Sequence, residues 1–180
     1  MKKLVVSLLM CLAAISMQAQ VLTSKTVNDI FDEVSTIGEP GFAYNADYAA
    51  DGTIETMYVY QRRNDTLKPF RQYRYAYSPD GLLLTRTILR WHNGKWVNVA
   101  RLDYSLQNHH YTVDYSRYSH RNHSFDAPID RMVYKLQPDD QAVCVTFFHR
   151  ERSTADFQLT AHVDICPSAP ADGRLLATHP

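Results

Sequence analysis

The sequence predicts a mainly β protein, an antiparallel β-meander of about nine strands that follows one N-terminal amphipathic helix. Three observations predict it. Short segments of alternating apolar residues recur at an almost constant spacing, most are followed by residues typical of turns, and the 180 residues include 12 Tyr against 6 Gly. Tyrosine favours strands because its ring covers a large apolar area while its hydroxyl stays at solvent. A chain of this length is expected to form one domain.

Residues 1–19 have the organisation of a secretory signal peptide. Lys2 and Lys3 precede a short apolar run, which ends in small and polar residues up to Ala19. The run is shorter than the roughly 20 apolar residues that a helix needs to cross a bilayer, so no membrane span is expected. We therefore expect export to the periplasm, the cell surface or the medium.

The charge balance argues against nucleic acid as a partner. The chain carries 19 basic and 19 acidic groups, and removal of Lys2 and Lys3 with the signal peptide leaves 17 against 19, a net charge of −2. Proteins that bind nucleic acid through its phosphates need an excess of positive charge. The sequence therefore indicates neither nucleic-acid binding nor electrostatic capture by anionic lipid.

The first element of the mature chain is a helix over 24–37, within an N-terminal segment at 20–40. A capping box formed by Thr26 and Asp29 is expected near its start, and Gly38 and Pro40 are expected to end it. Three turns of helix are marginal alone, so this helix must pack on the sheet. Its apolar stripe has the spacing of one buried helix face and consists of Val27, Ile30, Phe31, Val34 and Ile37.

The segment 41–166 reads as tandem β-hairpin repeats, and 167–180 as an irregular tail. Five segments alternate apolar and polar residues, the pattern of a strand with one buried face. They begin at spacings of 29, 29, 30 and 29 residues. These segments are Tyr44-x-Ala46-x-Tyr48, Tyr73-x-Tyr75-x-Tyr77, Leu102-x-Tyr104-x-Leu106, Met132-x-Tyr134-x-Leu136 and Ala161-x-Val163-x-Ile165.

Turn residues separate each of these strands from a returning strand. Asp51-Gly52 and Asp80-Gly81 supply the positive φ of a tight hairpin turn, whereas His110 and Asp140 replace the glycine in the third and fourth repeats and predict wider or bulged turns there. A longer loop is expected after each returning strand. Two further columns recur at the same period, Tyr60, Leu89, Tyr118 and Phe148 in one and Leu67, Trp96 and Phe125 in the other.

The second repeat carries a resemblance to a known family. The segment Tyr75-Ala-Tyr77-Ser-Pro-Asp80-Gly81-Leu82, followed by Trp91-His-Asn-Gly94-Lys-Trp96-Val97, resembles the repeating unit of exported Bacteroidota proteins of unknown function. These are distantly similar to tyrosine-aspartate (YD-type) repeats of large secreted shells. The likeness covers about residues 44–165 and implies tyrosine-rich β-hairpin repeats. It implies no activity.

No catalytic constellation is visible in the sequence. It contains no Gly-x-Ser-x-Gly, no Cys-x-x-Cys and no glycine-rich phosphate loop, so we expect no enzyme activity, no catalytic residue and no cofactor. His120 and His123 near Asp126, and the pair His109-His110, are the best metal candidates among eight histidines. Zinc needs three or four converging ligands, and residues that are adjacent in turns point apart. The sequence therefore predicts surface histidines and no metal.

Two tryptophans flank a predicted turn and offer the sharpest ligand hypothesis. Trp91 and Trp96, with Tyr104 nearby, form a candidate platform for sugar rings or a cage for a cation, and the alternative is that they pack the loop on the sheet. We expect a non-enzymatic interaction module at the surface or in the periplasm, with an unknown protein or glycan as partner. The alternative function is a carbohydrate-binding module that uses the tryptophan pair.

Two cysteines remain after signal removal. Cys144 and Cys166 lie on strands predicted to be neighbours, and export makes a disulfide between them one outcome that the spacing allows. A meander also leaves edge strands that can pair with another chain. An edge-to-edge homodimer is therefore a further expectation.

Overall fold

The computed structural model describes residues 21–38, 40–137 and 142–165. The expected signal peptide, the C-terminal tail and Cys166 lie outside the described residues. In chain order the elements are α1 (Ser24–Ile37), β1 (Phe42–Tyr48), β2 (Ile54–Arg63), β3 (Thr66–Tyr77), β4 (Leu83–His92), β5 (Lys95–Gln107), β6 (His110–Ser119), β7 (Ser124–Phe125), β8 (Asp130–Leu136), β9 (Ala142–His149) and β10 (Gln158–Asp164).

The strands form one open antiparallel sheet with the order β1-β2-β3-β4-β5-β6-β8-β9-β10, and the two-residue β7 pairs with β6 beside this path. The predicted meander is confirmed, including about nine strands in sequence order. Connections this short can join only antiparallel neighbours. In the part of the chain that the structure describes, no helix is long and apolar enough to cross a membrane.

The five alternating segments that the sequence singled out share one face of this sheet. The pairing register aligns Tyr73 with Ile88, Ile88 with Ala100, Leu102 with Tyr115, and Tyr111 with Tyr134. Helix α1 packs on this side through Val27 and Phe31, so we call it the helix face. Its buried core consists of Val27, Ile54, Met57, Leu83, Ile88, Ala100, Leu102, Tyr104, Tyr111, Val113 and Leu136.

The opposite side, which we call the far face, also carries apolar residues, whereas the alternating pattern predicted one buried face. The columns that recur in the returning strands lie here, and Leu89 is almost fully buried. Polar pairs lie farther along the same face. Arg131 makes two hydrogen bonds to Asp114 of 2.7 and 2.8 Å, and Arg101 lies 3.0 Å from the carboxylate of Asp103.

The helix has the predicted bounds but a different cap. Thr23 is the N-cap: its hydroxyl accepts from the Thr26 amide at 3.2 Å, and the Thr26 hydroxyl accepts from the Thr23 amide at 3.4 Å. Thr26 is thus the third helical residue of the capping box, and the expected role of Asp29 is wrong. The helix ends at Ile37 with Gly38 as its C-cap, as predicted.

The first two repeats reverse the expected assignment of tight and long connections, whereas the longer loops expected after β6 and β9 are present. The two-residue turns are Asn64-Asp65, Asn93-Gly94 and Asn108-His109, each with two successive positive φ angles. The glycine-free third turn is therefore tight and not wide, because asparagine and histidine tolerate the left-handed region. The Asp-Gly pairs instead lie in longer loops between β1 and β2 and between β3 and β4.

Helix α1 is fastened to these two longer loops. The Asn28 side-chain amide donates to the Gly52 carbonyl at 2.9 Å and accepts from the Ile54 amide at 3.2 Å. The Ser24 amide donates to the Gly81 carbonyl at 2.8 Å. Gly81 has a φ of 82°, and a Cβ atom there would lie 3.2 Å from the Ser24 hydroxyl. The loops therefore set where the helix lies on the sheet.

We call the two hydrogen bonds of the Asn28 side chain the Asn28 clamp, and their loss tests this arrangement. We expect Asn28→Ala to lower the free energy of unfolding by about 1–3 kcal/mol, because two backbone groups lose their partner. Asp29→Ala, next to it on the helix, removes only an exposed pair with Lys25 and should change this free energy by less than about 0.5 kcal/mol. Urea unfolding of both variants measures the difference, and equal effects would contradict the clamp.

Candidate functional site

Four aromatic rings cluster on the far face near the two-residue turns. Trp91 and Trp96 are cross-strand partners in the β4–β5 hairpin, with ring centroids 5.1 Å apart and planes at 70°. The Tyr58 ring lies 6.2 Å from Trp96, and the Tyr60 ring lies 6.5 Å from Tyr58. We call Tyr58, Tyr60, Trp91 and Trp96 the aromatic patch. Trp91 is 39% exposed, so the patch presents an indole to solvent.

Polar groups lie beside and beneath these rings. The Tyr58 hydroxyl donates to the Asp47 carboxylate at 2.7 Å, and this bond raises the pKa of Tyr58. Gln72, the cross-strand partner of Tyr58, is buried and leaves its Oε1 atom without a hydrogen-bond partner. Aromatic surface with a few fixed polar groups is the usual composition of a binding site for a sugar or for a protein side chain.

The third sequence-predicted ligand residue does not join the patch. Tyr104 lies on the helix face, is 6% exposed, and stacks on Tyr111 at 6.1 Å. Simple alternation would put Trp96 and Tyr104 on one face, because eight residues separate them. The β4–β5 register shifts where Leu89 pairs with Asn98 and Ile88 with Ala100, so one extra β5 residue reverses the alternation.

The two tyrosines of the patch were not assigned to a site from the sequence. Tyr60 stood out only as a member of a repeat column, and Tyr58 did not stand out at all. Their position follows from the β2–β3 and β3–β4 registers, which carry Tyr58 through Gln72 to Leu89. The sequence signal that could have identified these two tyrosines was the repeat column that contains Tyr60 and Leu89.

A buried arginine lies on the helix face within a group of tyrosines. Arg86 is 8% exposed, its guanidinium lies 5.9 Å from the centre of the Tyr73 ring, and its Nε atom has no hydrogen-bond partner. Burial opposes the charge of Arg86, but attraction to Tyr104, Tyr75 and Tyr73 when these ionise at high pH outweighs this effect and raises the pKa of Arg86. The aromatic faces stabilise the cation here.

The tyrosines of this face are held in their neutral form. Burial raises the pKa of Tyr75, Tyr77, Tyr104 and Tyr111 above its usual value of about 10, because a phenolate is poorly solvated there. Two of their hydroxyls also make backbone hydrogen bonds. Tyr77 donates to the Ile54 carbonyl at 3.0 Å, and Tyr111 accepts from the Leu22 amide at 3.3 Å.

A second candidate site lies at the β9–β10 end of the far face. Cys144, His162 and Asp164 each offer one possible metal-ligand atom, and these atoms lie within 4.8 Å of one another. They border a surface concavity of about 560 Å³. The β9–β10 register places Asp164 opposite Cys144. The predicted disulfide of Cys144 lies outside the described residues, because Cys166 does.

Of the histidines named from the sequence, His110 borders this concavity, whereas His109 and His120 lie elsewhere. His120 packs edge-on against Tyr118 at 5.2 Å, and His109 occupies a turn with a φ of 60°. His162 was not considered, because only the register of two strands brings it to a cysteine. The signal that could have identified His162 is its position on β10, two residues from Asp164, which is the cross-strand partner of Cys144.

Other proteins of known sequence or structure are similar to this chain. A family model described as "Family of unknown function (DUF3836)" matches residues 1–136. The chain belongs to this family. No curated protein matches it.

Solved structures from bacteria of the genera Bacteroides and Parabacteroides are similar to this chain. A protein of unknown function from Bacteroides fragilis NCTC 9343 is 18% identical, with a TM-score of 0.60 over 68% of this chain and 91% of that one. A DUF3836 protein from Parabacteroides distasonis ATCC 8503 is 18% identical, with a TM-score of 0.47 over 52% and 89%. A DUF3836 protein from Bacteroides vulgatus ATCC 8482 is 16% identical, with a TM-score of 0.45 over 47% and 88%.

The buried tyrosines predict a loss of stability at alkaline pH. Their pKa is raised in the folded state, so their contribution is complete below about pH 10 and falls as the pH rises above that value. Each tyrosine that ionises only after unfolding lowers the free energy of unfolding by up to about 1.4 kcal/mol per pH unit. Urea midpoints between about pH 8 and pH 11 measure this slope.

The matched variants are Tyr104→Phe and Tyr48→Phe. The first removes a buried hydroxyl and should make the alkaline loss shallower, whereas the second changes a residue that is 52% exposed and should not. Identical slopes for the wild type and Tyr104→Phe would contradict the argument.

Proposed function

We propose that this DUF3836 protein is an exported, non-enzymatic interaction module that binds its partner through the aromatic patch on the far face. The observation that carries the proposal is the contact of Trp91 and Trp96 with each other and with Tyr58 on the side away from α1. The chain has two tryptophans, and both belong to the patch. The export part of the proposal rests on the signal-peptide pattern of residues 1–19. Determination of the first residue of the secreted chain tests it, and Gln20 is the expected result.

Exposed apolar surface supports a protein as the partner. Trp91 of the patch is an exposed apolar side chain, and so is Leu67, which lies beside the patch on β3. Tryptophan, tyrosine and arginine dominate the energy of protein interfaces because they bury a large area and still form polar contacts. Arg62, which pairs with Leu67, places a positive charge at the rim of the patch.

A carbohydrate is the second candidate partner. Sugars bind to aromatic rings through their apolar faces and to fixed polar groups through their hydroxyls. The hydrogen bond between Tyr58 and Asp47 provides fixed polar atoms beside Trp96 and favours this reading. The 70° angle between the indoles leaves one exposed ring and not a flat pair, which suits a single sugar ring.

The experiment compares Trp91→Ala with Leu84→Ala, which removes an apolar side chain of similar exposure outside the patch. A photoreactive phenylalanine analogue at position 91 should form a discrete cross-linked product in the cells that make the protein, whereas the same analogue at Leu159 should not. Against the purified partner, Trp91→Ala should weaken binding about 30-fold, and Leu84→Ala should leave it unchanged.

A glycan array separates the two partners. Binding that quenches tryptophan fluorescence and is lost in Trp91→Ala assigns the patch to a sugar in place of a protein. If neither a cross-linked product nor a bound glycan depends on Trp91, the patch is a packing feature and the proposal is wrong.

A further inference from the structure

We propose that Cys144, His162 and Asp164 form a binding site for a zinc-type divalent cation on the far face of the β9–β10 hairpin. Nothing in the family description assigns a metal to this chain. The proposal is independent of the aromatic patch, which lies on other strands.

The placement of the three ligands follows from strand geometry. His162 and Asp164 are two residues apart on β10 and therefore project to the same face. Cys144 is the cross-strand partner of Asp164. Cross-strand neighbours lie about 4.5–5.5 Å apart, and three side chains so arranged can converge on one ion without a change in the backbone.

The distance between the histidine and carboxylate ligand atoms suits tetrahedral coordination. His162 Nε2 lies 3.3 Å from Asp164 Oδ1. Two ligands of a tetrahedral zinc ion with bonds of about 2.0–2.3 Å are separated by roughly 3.3–3.8 Å. The remaining separations are within 4.8 Å, and side-chain rotation can shorten them because His162 and Asp164 are exposed.

A neighbouring hydroxyl orients the histidine. Thr146 Oγ1 lies 2.9 Å from His162 Nδ1. When Nδ1–H donates to this oxygen, the lone pair of Nε2 faces Asp164. A hydrogen bond to the other ring nitrogen is the usual support of a metal-binding histidine.

The donor set identifies the class of metal. One thiolate, one imidazole and one carboxylate suit zinc, whereas magnesium and calcium prefer oxygen ligands alone. Three protein ligands leave the fourth position to water or to a group of a partner. Lys135 lies opposite Cys144 on β8 and borders the same concavity, and its long exposed side chain can turn its charge to solvent when the ion binds.

The test uses the full mature chain under reducing conditions, with Zn²⁺ and Co²⁺ as probes. We expect one Zn²⁺ per chain, and a Co²⁺ complex with the visible bands of tetrahedral coordination and the ultraviolet band of a cobalt–thiolate bond. Cys144→Ser and His162→Ala should each weaken Zn²⁺ binding at least tenfold and, for Cys144→Ser, abolish the thiolate band.

Two control variants define the site. His149→Ala removes another histidine of the same sheet that contacts a carboxylate, Asp130 at 2.6 Å, and should leave Zn²⁺ binding unchanged. Cys166→Ser removes the thiol that could form a disulfide with Cys144, and it should retain both Zn²⁺ binding and the thiolate band.

The proposal is overturned by any of three results. These are no binding of Zn²⁺ by the reduced wild type, equal binding by Cys144→Ser, or loss of binding in Cys166→Ser. The last result would replace the three-ligand site with one that needs the second cysteine.

Discussion

The structure depends on the burial of one face of a broad single-layered sheet beneath the short helix α1. Helix α1 contacts β1 and β2, while the core extends to β8 through Leu136. Tyrosine rings cover the remaining area, as the stacked pairs of Tyr75 with Tyr77 and of Tyr104 with Tyr111 show. Each ring pair contributes only about 0.5–1.5 kcal/mol, so the sheet needs many of them. This requirement accounts for the tyrosine excess.

Arg86 shows the same requirement in another form. A charge at this depth normally needs a carboxylate partner, because desolvation costs several kcal/mol. Here the guanidinium lies 5.9 Å from the centre of the Tyr73 ring, whose face stabilises the cation. The tyrosines therefore both cover the sheet and accommodate a cation, which leucine or valine could not do. The far face contributes less to the buried core, and it carries Trp91 and the cluster of Cys144, His162 and Asp164.

The sequence predicted the helix bounds, the meander and the shared face of five strands, because these depend on local periodicity. It could not predict features that depend on register. The extra residue near Val99 separates Tyr104 from Trp96, and the β9–β10 pairing brings His162 to Cys144. The turns were misassigned for a related reason: Asn108-His109 adopts positive φ without glycine, while Asp80-Gly81 serves a longer loop that contacts the helix.

The central claim is that the helix face holds the buried core, whereas the far face exposes aromatic residues for binding. Hydroxyl-radical footprinting read by mass spectrometry tests this claim most directly. The folded protein should be oxidised readily at Trp91 on the far face, which is 39% exposed, while Tyr104 and Tyr111 on the helix face stay protected until it unfolds, because these two are 6% and 5% exposed. Oxidation of Tyr104 and Tyr111 in the folded protein at a rate similar to that of Trp91 would contradict the account.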